Sequence, residues 1–223
     1  MAEWNMVGAG KAPEGTAAER VTSSLRRLVL TGALPPGAQL SQSRIAADYG
    51  VSRIPVRDAL QVLSSEGLVD LGRSTAVVHG LSISELQELY ELREAVEPML
   101  TGLAVPSIGR AEVTQMTSLA EAMESPLSAT DWLAANAKFH ALAYSCADRP
   151  RMIELTDRLR RLTDRYIHLH VSVIGDTDHL HTEHRQILAA VRRGDAAAAA
   201  KLTRAHIATA HEFILRYLLG HDS

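Results

Sequence analysis

GVSRIPVRDAL, residues 50 to 60, decides the reading of this chain. Val56, Ala59, Leu60 and Leu63 fall at helical spacing, so the segment is predicted to be a short helix with one apolar stripe. Pro55 does not forbid it. With Ser52 as the cap, the proline falls in the first turn, where backbone N–H groups have no intrahelical partner. Arg53 and Arg57 are four apart and leave the same face, opposite the stripe. Two cations at the start of a helix oppose its macrodipole. An arrangement that costs stability points to an anionic partner outside the protein. The N-terminal end of a recognition helix is the part that enters the DNA major groove. Arginine is also the residue that reads guanine through two hydrogen bonds or clamps phosphate. The alternative is a solvated face with Arg57 paired to Asp58 or Glu66.

The flanking sequence favours the DNA reading. Residues 17 to 31 place Val21, Leu25, Leu28 and Val29 on one helical face; Gly32 ends that helix, and LPPG at 34–37 makes a rigid turn. Ser41 opens a second short helix, SRIAADY, which closes at Gly50. After Gly67 come two short β-favouring runs, LVDL and TAVVH, around a GRS turn. Helix, helix, helix, hairpin is the order of a winged helix-turn-helix.

Residues 82 to 219 read as helices almost throughout, starting at Ser82 or Ser84 and running toward Ala104, with a bend or interruption at Pro98. Further helices are expected at about 110–123, 129–147, 151–173, 178–193 and 195–219, the breaks including Gly175-Asp176 and Gly194-Asp195. The fold class is therefore mainly α: a winged helix-turn-helix followed by an all-helical antiparallel bundle. The expected organisation is a disordered tail over 1–15, a DNA-binding domain over 16–80, and an effector, metal-binding and dimerisation domain over 81–223.

Bulk properties constrain without deciding. The net charge is −3, but residues 1–80 hold 8 Lys+Arg against 7 Asp+Glu, leaving 23 − 8 = 15 against 26 − 7 = 19 for the remainder. Aromatics are 4% of residues, so the core must be built mostly from Leu, Ala, Val and Ile. No apolar run reaches membrane length, and the N-terminus has no signal-peptide core. The single cysteine, Cys146, excludes an internal disulfide and reads as a small buried hydrophobe in a cytoplasmic protein.

Nine of the ten histidines follow residue 80. His140, His184 and His206 each share a helical stripe with apolar residues, where a single histidine is usually hydrogen-bonded core. If the last two helices form an antiparallel hairpin turning at Gly194-Asp195, His184 lies ten residues before the turn and His206 eleven after it. Equal rise per residue then brings the two imidazoles level. Asn136 and His140 share one face of another helix. Three imidazoles and an amide oxygen converging in a bundle suit a borderline metal, Zn²⁺ or Ni²⁺. Arg93 lies on the stripe of Leu86, Leu89, Tyr90, Val96 and Leu100. A guanidinium facing inward needs an anion, and Glu97 is one turn away. Arg158, Arg161 and Arg165 read as a solvated row. His168, His170, His179, His181, His211 and His221 read as surface or loop residues, with His181 closest to a pocket mouth.

TGALPPGAQLSQSRIAADYGVSRIPVRDALQVLSSEGLV, residues 31–69, closely resembles the DNA-binding domain of the GntR family of bacterial transcription regulators. The shared pattern is G-x-L-x-P-G-x-x-L, then L-A, then G-V-S-R-x-P-V-R-x-A-L-x-x-L-x-x-E-G-L. The resemblance implies DNA contacts from Ser52, Arg53 and Arg57, from Gly72 and Arg73 in the wing, and from Ser43 or Arg44 in the second helix. The wing segment, DLGRSTAVV, is shorter than the family's usual one. Residues 82–219 resemble the helical FCD effector domain of the FadR subfamily. That likeness implies metal ligands at Asn136, His140, His184 and His206, with Asn136 where aspartate is common. It also implies that Arg93 holds the carboxylate of a small organic-acid effector.

The expected function is a ligand-responsive regulator, a repressor binding double-stranded DNA as a homodimer at a pseudo-palindromic operator. A regulator answering to the metal alone is the second reading. A metalloenzyme using the helix-turn-helix for assembly is the third. Against the enzyme, the sequence has no HExxH, no paired Glu-x-x-His and no nucleophile elbow. Glu183 adjoins His184 but leaves the helix at a different angle.

Overall fold

The computed structural model describes residues 15–80, 82–169, 171 and 178–221. The tail expected over 1–15, Gly15 excepted, and the break expected at Gly175-Asp176 fall outside them. The chain divides into two compact units, Met1–Leu81 and Ser82–Ser223.

In the first unit α1 spans Ala17–Leu30 and starts with a reciprocal cap. The Thr16 backbone N–H donates to Glu19 Oε2 at 2.7 Å, and Thr16 Oγ1 accepts from the Glu19 N–H at 3.3 Å. β1 (Gln39–Ser41) leads into α2 (Gln42–Asp48), and α3 spans Arg53–Ser65. Gly50 closes the turn between α2 and α3 at φ 63°, a conformation that favours glycine. β2 (Val69–Leu71) and β3 (Thr75–Val78) form the expected hairpin. The hairpin has a third strand that the sequence reading did not foresee. β1 pairs antiparallel with β3, Leu40 opposite Ala76, giving the order β1-β3-β2. Three residues, QLS, are too few to show a period of two. Val21, Leu25, Ile45, Val56, Leu60, Leu63 and Ala76 are fully buried in one cluster beneath these elements. Arg26 grips Glu66 with two hydrogen bonds, 2.8 and 2.6 Å, tying α1 to the end of α3.

The second unit is helical among its described residues: α4 (Ile83–Ala104), a 3₁₀ turn at Val105–Ser107, α5 (Arg110–Met123), α6 (Ala129–Ser145), α7 (Pro150–Leu169), α8 (Asp178–Arg192) and α9 (Ala196–His221). α4 runs through Pro98 without interruption. α8 and α9 do form a hairpin turning at Gly194, φ 68°, with Asp195 Oδ1 accepting from the Ala198 N–H at 2.9 Å to cap α9. α4 lies close against α9, where a Cβ on Gly102 would touch the Ala200 methyl at 3.5 Å.

Several surface expectations are corrected by burial. His168 is buried on α7, and His179, His181 and His211 are half-buried on α8 and α9 rather than in loops. His179 stacks on Phe213, and His211 stacks on Tyr90. His170 and the side chain of His221 lie outside the described residues. Of the arginine row, Arg158 and Arg161 are exposed, but Arg165 is buried and bonded to Glu85. Helical spacing gave these residues an azimuth, and it could not say which neighbouring helix covers it. Cys146 is half-buried and free of disulfides.

Candidate nucleic-acid interface and metal centre

Ser52 sits at the N-cap position of α3 with extended backbone, but its hydroxyl makes no capping hydrogen bond. Pro55 is in the first turn, as its missing N–H requires. Ser52, Arg53 and Arg57 are all exposed. Arg57 lies 4.0 Å from Asp58, both side chains in solvent; Glu66, its other expected partner, is held by Arg26 instead. On α2, Ser43 and Arg44 are exposed, with Arg44 4.0 Å from Asp48. In the wing, Gly72 and Arg73 are exposed at the β2–β3 turn. The Gly72 N–H donates to the Thr75 carbonyl at 2.8 Å, and a Cβ at Gly72 would meet that oxygen at 3.0 Å. The tight turn therefore requires close backbone approach at residue 72.

In the second unit the three stripe histidines meet. The His140–His184, His140–His206 and His184–His206 ring centroids are 5.2, 5.1 and 4.7 Å apart. One ring nitrogen from each lies within 4.8 Å of the others. His140 Nε2 and His184 Nε2 face one another at 3.2 Å. Two nitrogens bound tetrahedrally to one zinc stand about 3.3 Å apart, from Zn–N lengths near 2.05 Å. Burial, above all, holds both rings well below the ordinary imidazole range, helped by Arg160 and then His206 at His140 and by His206 and then Arg160 at His184, so their lone pairs are unprotonated near neutrality.

Asn136 joins this group from one turn before His140. It is buried, and its Oδ1 has no hydrogen-bond partner among the described residues. An orphaned buried acceptor costs about 1–3 kcal/mol, so it marks a missing partner. Glu183 is the residue that sequence reasoning undervalued. It does leave α8 at a different angle from His184, and that angle carries it across the hairpin to α9. There its Oε2 lies 2.7 Å from His206 Nδ1. A carboxylate on Nδ1 fixes the tautomer and turns Nε2 toward the cluster. The donor set, three imidazoles and one amide oxygen, fits a borderline divalent metal.

Beside the cluster is a cavity of about 20 Å³ whose lining includes Tyr90, Arg93, Asn136, His140, Leu180 and His206. His181 is not in its wall. Arg93 does face inward. Its Nε donates to Glu97 Oε1 at 2.6 Å and its Nη1 to Thr163 Oγ1 at 3.2 Å. Arg160, which the sequence reading passed over, donates to the other oxygen of Glu97 at 2.9 Å. Burial alone would raise the Glu97 carboxyl; the two guanidiniums hold it below the usual range instead. Two buried cations share one buried anion here, and one of them, Arg93, lines the cavity.

A winged helix-turn-helix with exposed cations on its third helix, followed by an all-helical unit, is the architecture of a DNA-binding regulator. Residues 17–77 match the model of the bacterial regulatory proteins, gntR family, and residues 88–209 match the FCD domain. The chain belongs to the GntR family of bacterial transcription regulators and carries an FCD domain. It is 28% identical over 211 residues to the HTH-type transcriptional repressor GlaR of Escherichia coli, covering 88% of this chain and 94% of that one. It is 37% identical over 106 residues to the gluconate operon transcriptional repressor of Bacillus licheniformis, a match spanning 47% of this chain and 42% of that repressor. Among solved structures, E. coli McbR/YncC superposes with a TM-score of 0.73 over 92% of this chain and 99% of its own, at 19% identity, a likeness of fold. A GntR regulator from Rhodococcus sp. RHA1 gives 0.69 at 27% identity, over 89% of this chain and 97% of its own. The family and these relatives are transcription regulators, not enzymes. No described helix is long and apolar enough to cross a membrane.

Proposed function

We propose that this regulator is a cytoplasmic repressor that binds a pseudo-palindromic operator as a homodimer and answers to a divalent metal and a small organic acid. α3 enters the major groove through Ser52, Arg53 and Arg57; Ser43, Arg44 and the wing residues Gly72 and Arg73 contact the backbone and groove edge. Asn136, His140, His184 and His206 hold the metal, Zn²⁺ being the first choice for this donor set. Bound there, the metal supplies a positive centre that an acid's oxygens can meet. Arg93 takes the carboxylate. An effector that favours the DNA-incompetent arrangement of the dimer weakens DNA binding by the same factor. Supporting the dimer, Leu92, Met99 and Leu103 are 42%, 56% and 41% exposed along one side of α4, an apolar seam that a two-fold axis could pair with its own copy.

The observation that carries this reading is the convergence of three buried histidines, with the orphaned oxygen of Asn136 one turn before His140. It is tested by metal analysis of the purified protein. Wild type should carry one metal per chain, and His184→Ala with His206→Ala none. Stoichiometric metal retained in that double variant would overturn the assignment.

One observation favours a second reading, in which the metal alone is the signal. A cavity of about 20 Å³ has room for an ion or a water and not for an organic acid unless the walls move. Titrating operator binding with Zn²⁺ and with chelator, in the presence and absence of small carboxylates, separates the two. A response to metal with no further response to any carboxylate selects the metal-only regulator.

A further inference from the structure

The crest of α3 is not made by its arginines. At about 100° per residue, the buried Val56, Ala59, Leu60 and Leu63 define one side, and the opposite side is made by Ile54 in the first turn, Asp58 and Gln61 behind it, and Ser65 at the far end. Arg53 and Arg57, expected opposite the apolar stripe, stand instead on the flank of that crest, about 70° and about 110° round from the stripe's centre. Ile54 is 66% exposed, more than any other large apolar side chain among the described residues. Single exposed apolar residues are common on protein surfaces. This one is set apart by position: it lies in the first turn, directly after Arg53 and three residues before Arg57. A β-branched residue in a solvated first turn gains nothing from packing and helps the helix little.

A side chain with no donor or acceptor can read only one thing in the major groove, the C5 methyl of thymine. We propose that Ile54 is a specificity-determining residue that packs on a thymine methyl in each operator half-site, while Arg53 and Arg57 hold the guanines or phosphates beside it. The proposal rests on α3 being the recognition helix. Arginines alone anchor the helix and select guanine; Ile54 adds a discrimination of thymine from cytosine at a fixed step.

The test uses the full-length protein and an operator fragment that it has selected from genomic DNA. Each thymine is replaced in turn by deoxyuridine, which lacks only the methyl. Burying one such group is worth about 0.8 kcal/mol, or about fourfold in Kd. Wild type should lose about fourfold at one thymine position per half-site and nothing elsewhere. Ile54→Ala should bind the thymine and uracil forms equally, with unchanged melting. Indifference of wild type to every replacement, or the same uracil penalty in Ile54→Ala, overturns the proposal. The Arg53→Ala/Arg57→Ala variant on the same fragment distinguishes the two failures. If it loses binding while the uracil scan is flat, only the Ile54 assignment falls. If it binds like wild type, or if no fragment is selected at all, the reading of α3 falls with it.

Discussion

Arg53 and Arg57 stand in solvent on α3, whereas Arg93 and Arg160 are buried against one shared carboxylate, Glu97. The same side chain does opposite work in the two units. On α3 the cations oppose the helix dipole and have no buried partner, so they weaken the fold slightly and remain available to an external anion. Between α4 and α7 two cations share one buried anion, so removing that anion must be felt by the fold itself. Exposed arginines should therefore be tested by binding and buried ones by melting.

The largest effect is expected at Glu97. Glu97→Ala leaves two buried guanidiniums without their anion, and breaking a buried ion pair from one side costs on the order of 3–5 kcal/mol. Denaturant unfolding should show the loss. A variant as stable as wild type would mean that Arg93 and Arg160 find another anion or water, and the contrast between the units would collapse. On α3 the expectation reverses. Arg53→Ala and Arg57→Ala should each cost about 1–3 kcal/mol in specific operator binding. Melting should hardly move, because the 4.0 Å approach of Arg57 to Asp58 is a solvated pair of little worth.

This contrast also explains what could be read from the sequence. The DNA-reading unit was legible because a recognition helix states its function locally. Ser52, Arg53, Pro55 and Arg57 lie within one and a half turns, and the core stripe alternates with them. The histidine cluster was half legible: Asn136 and His140 share a turn, and a hairpin count levels His184 with His206. What escaped depends on which helix lies against which. Arg165 looks like a member of a solvated row, and Arg160 draws no notice at all, until α4 covers them with Glu85 and Glu97. Glu183 looks misdirected until α9 supplies His206. β1 needs β3 as a partner before three residues become a strand.

A smaller effect separates the units by pH. Burial lowers the His168 imidazole below its ordinary range. A histidine whose folded pKa is depressed contributes stability that is fully present above the unfolded value, about 6.5, and is lost as pH falls through the window below it. Unfolding of the metal-free protein should therefore become easier below about pH 6.5. His140 and His184 act with the same sign, so the part owed to His168 is what His168→Gln removes from the slope. An unchanged slope in that variant would assign the whole pH dependence to the histidine cluster.

The smallest contrast lies within the DNA-binding unit, between two residues at helix starts. Thr16 caps α1 with a hydrogen bond to the Glu19 N–H, while Ser52 occupies the same position on α3 and makes none. Thr16→Ala should cost about 1 kcal/mol of stability. Ser52→Ala should cost almost none, because no hydrogen bond within the protein is lost. If the Ser52 hydroxyl is reserved for DNA, its removal should appear instead as weaker operator binding, smaller than the loss for either arginine. Equal stability losses for the two variants would mean that Ser52 caps α3 in solution, and the case for reserving its hydroxyl for phosphate would fail while the arginine contacts stood.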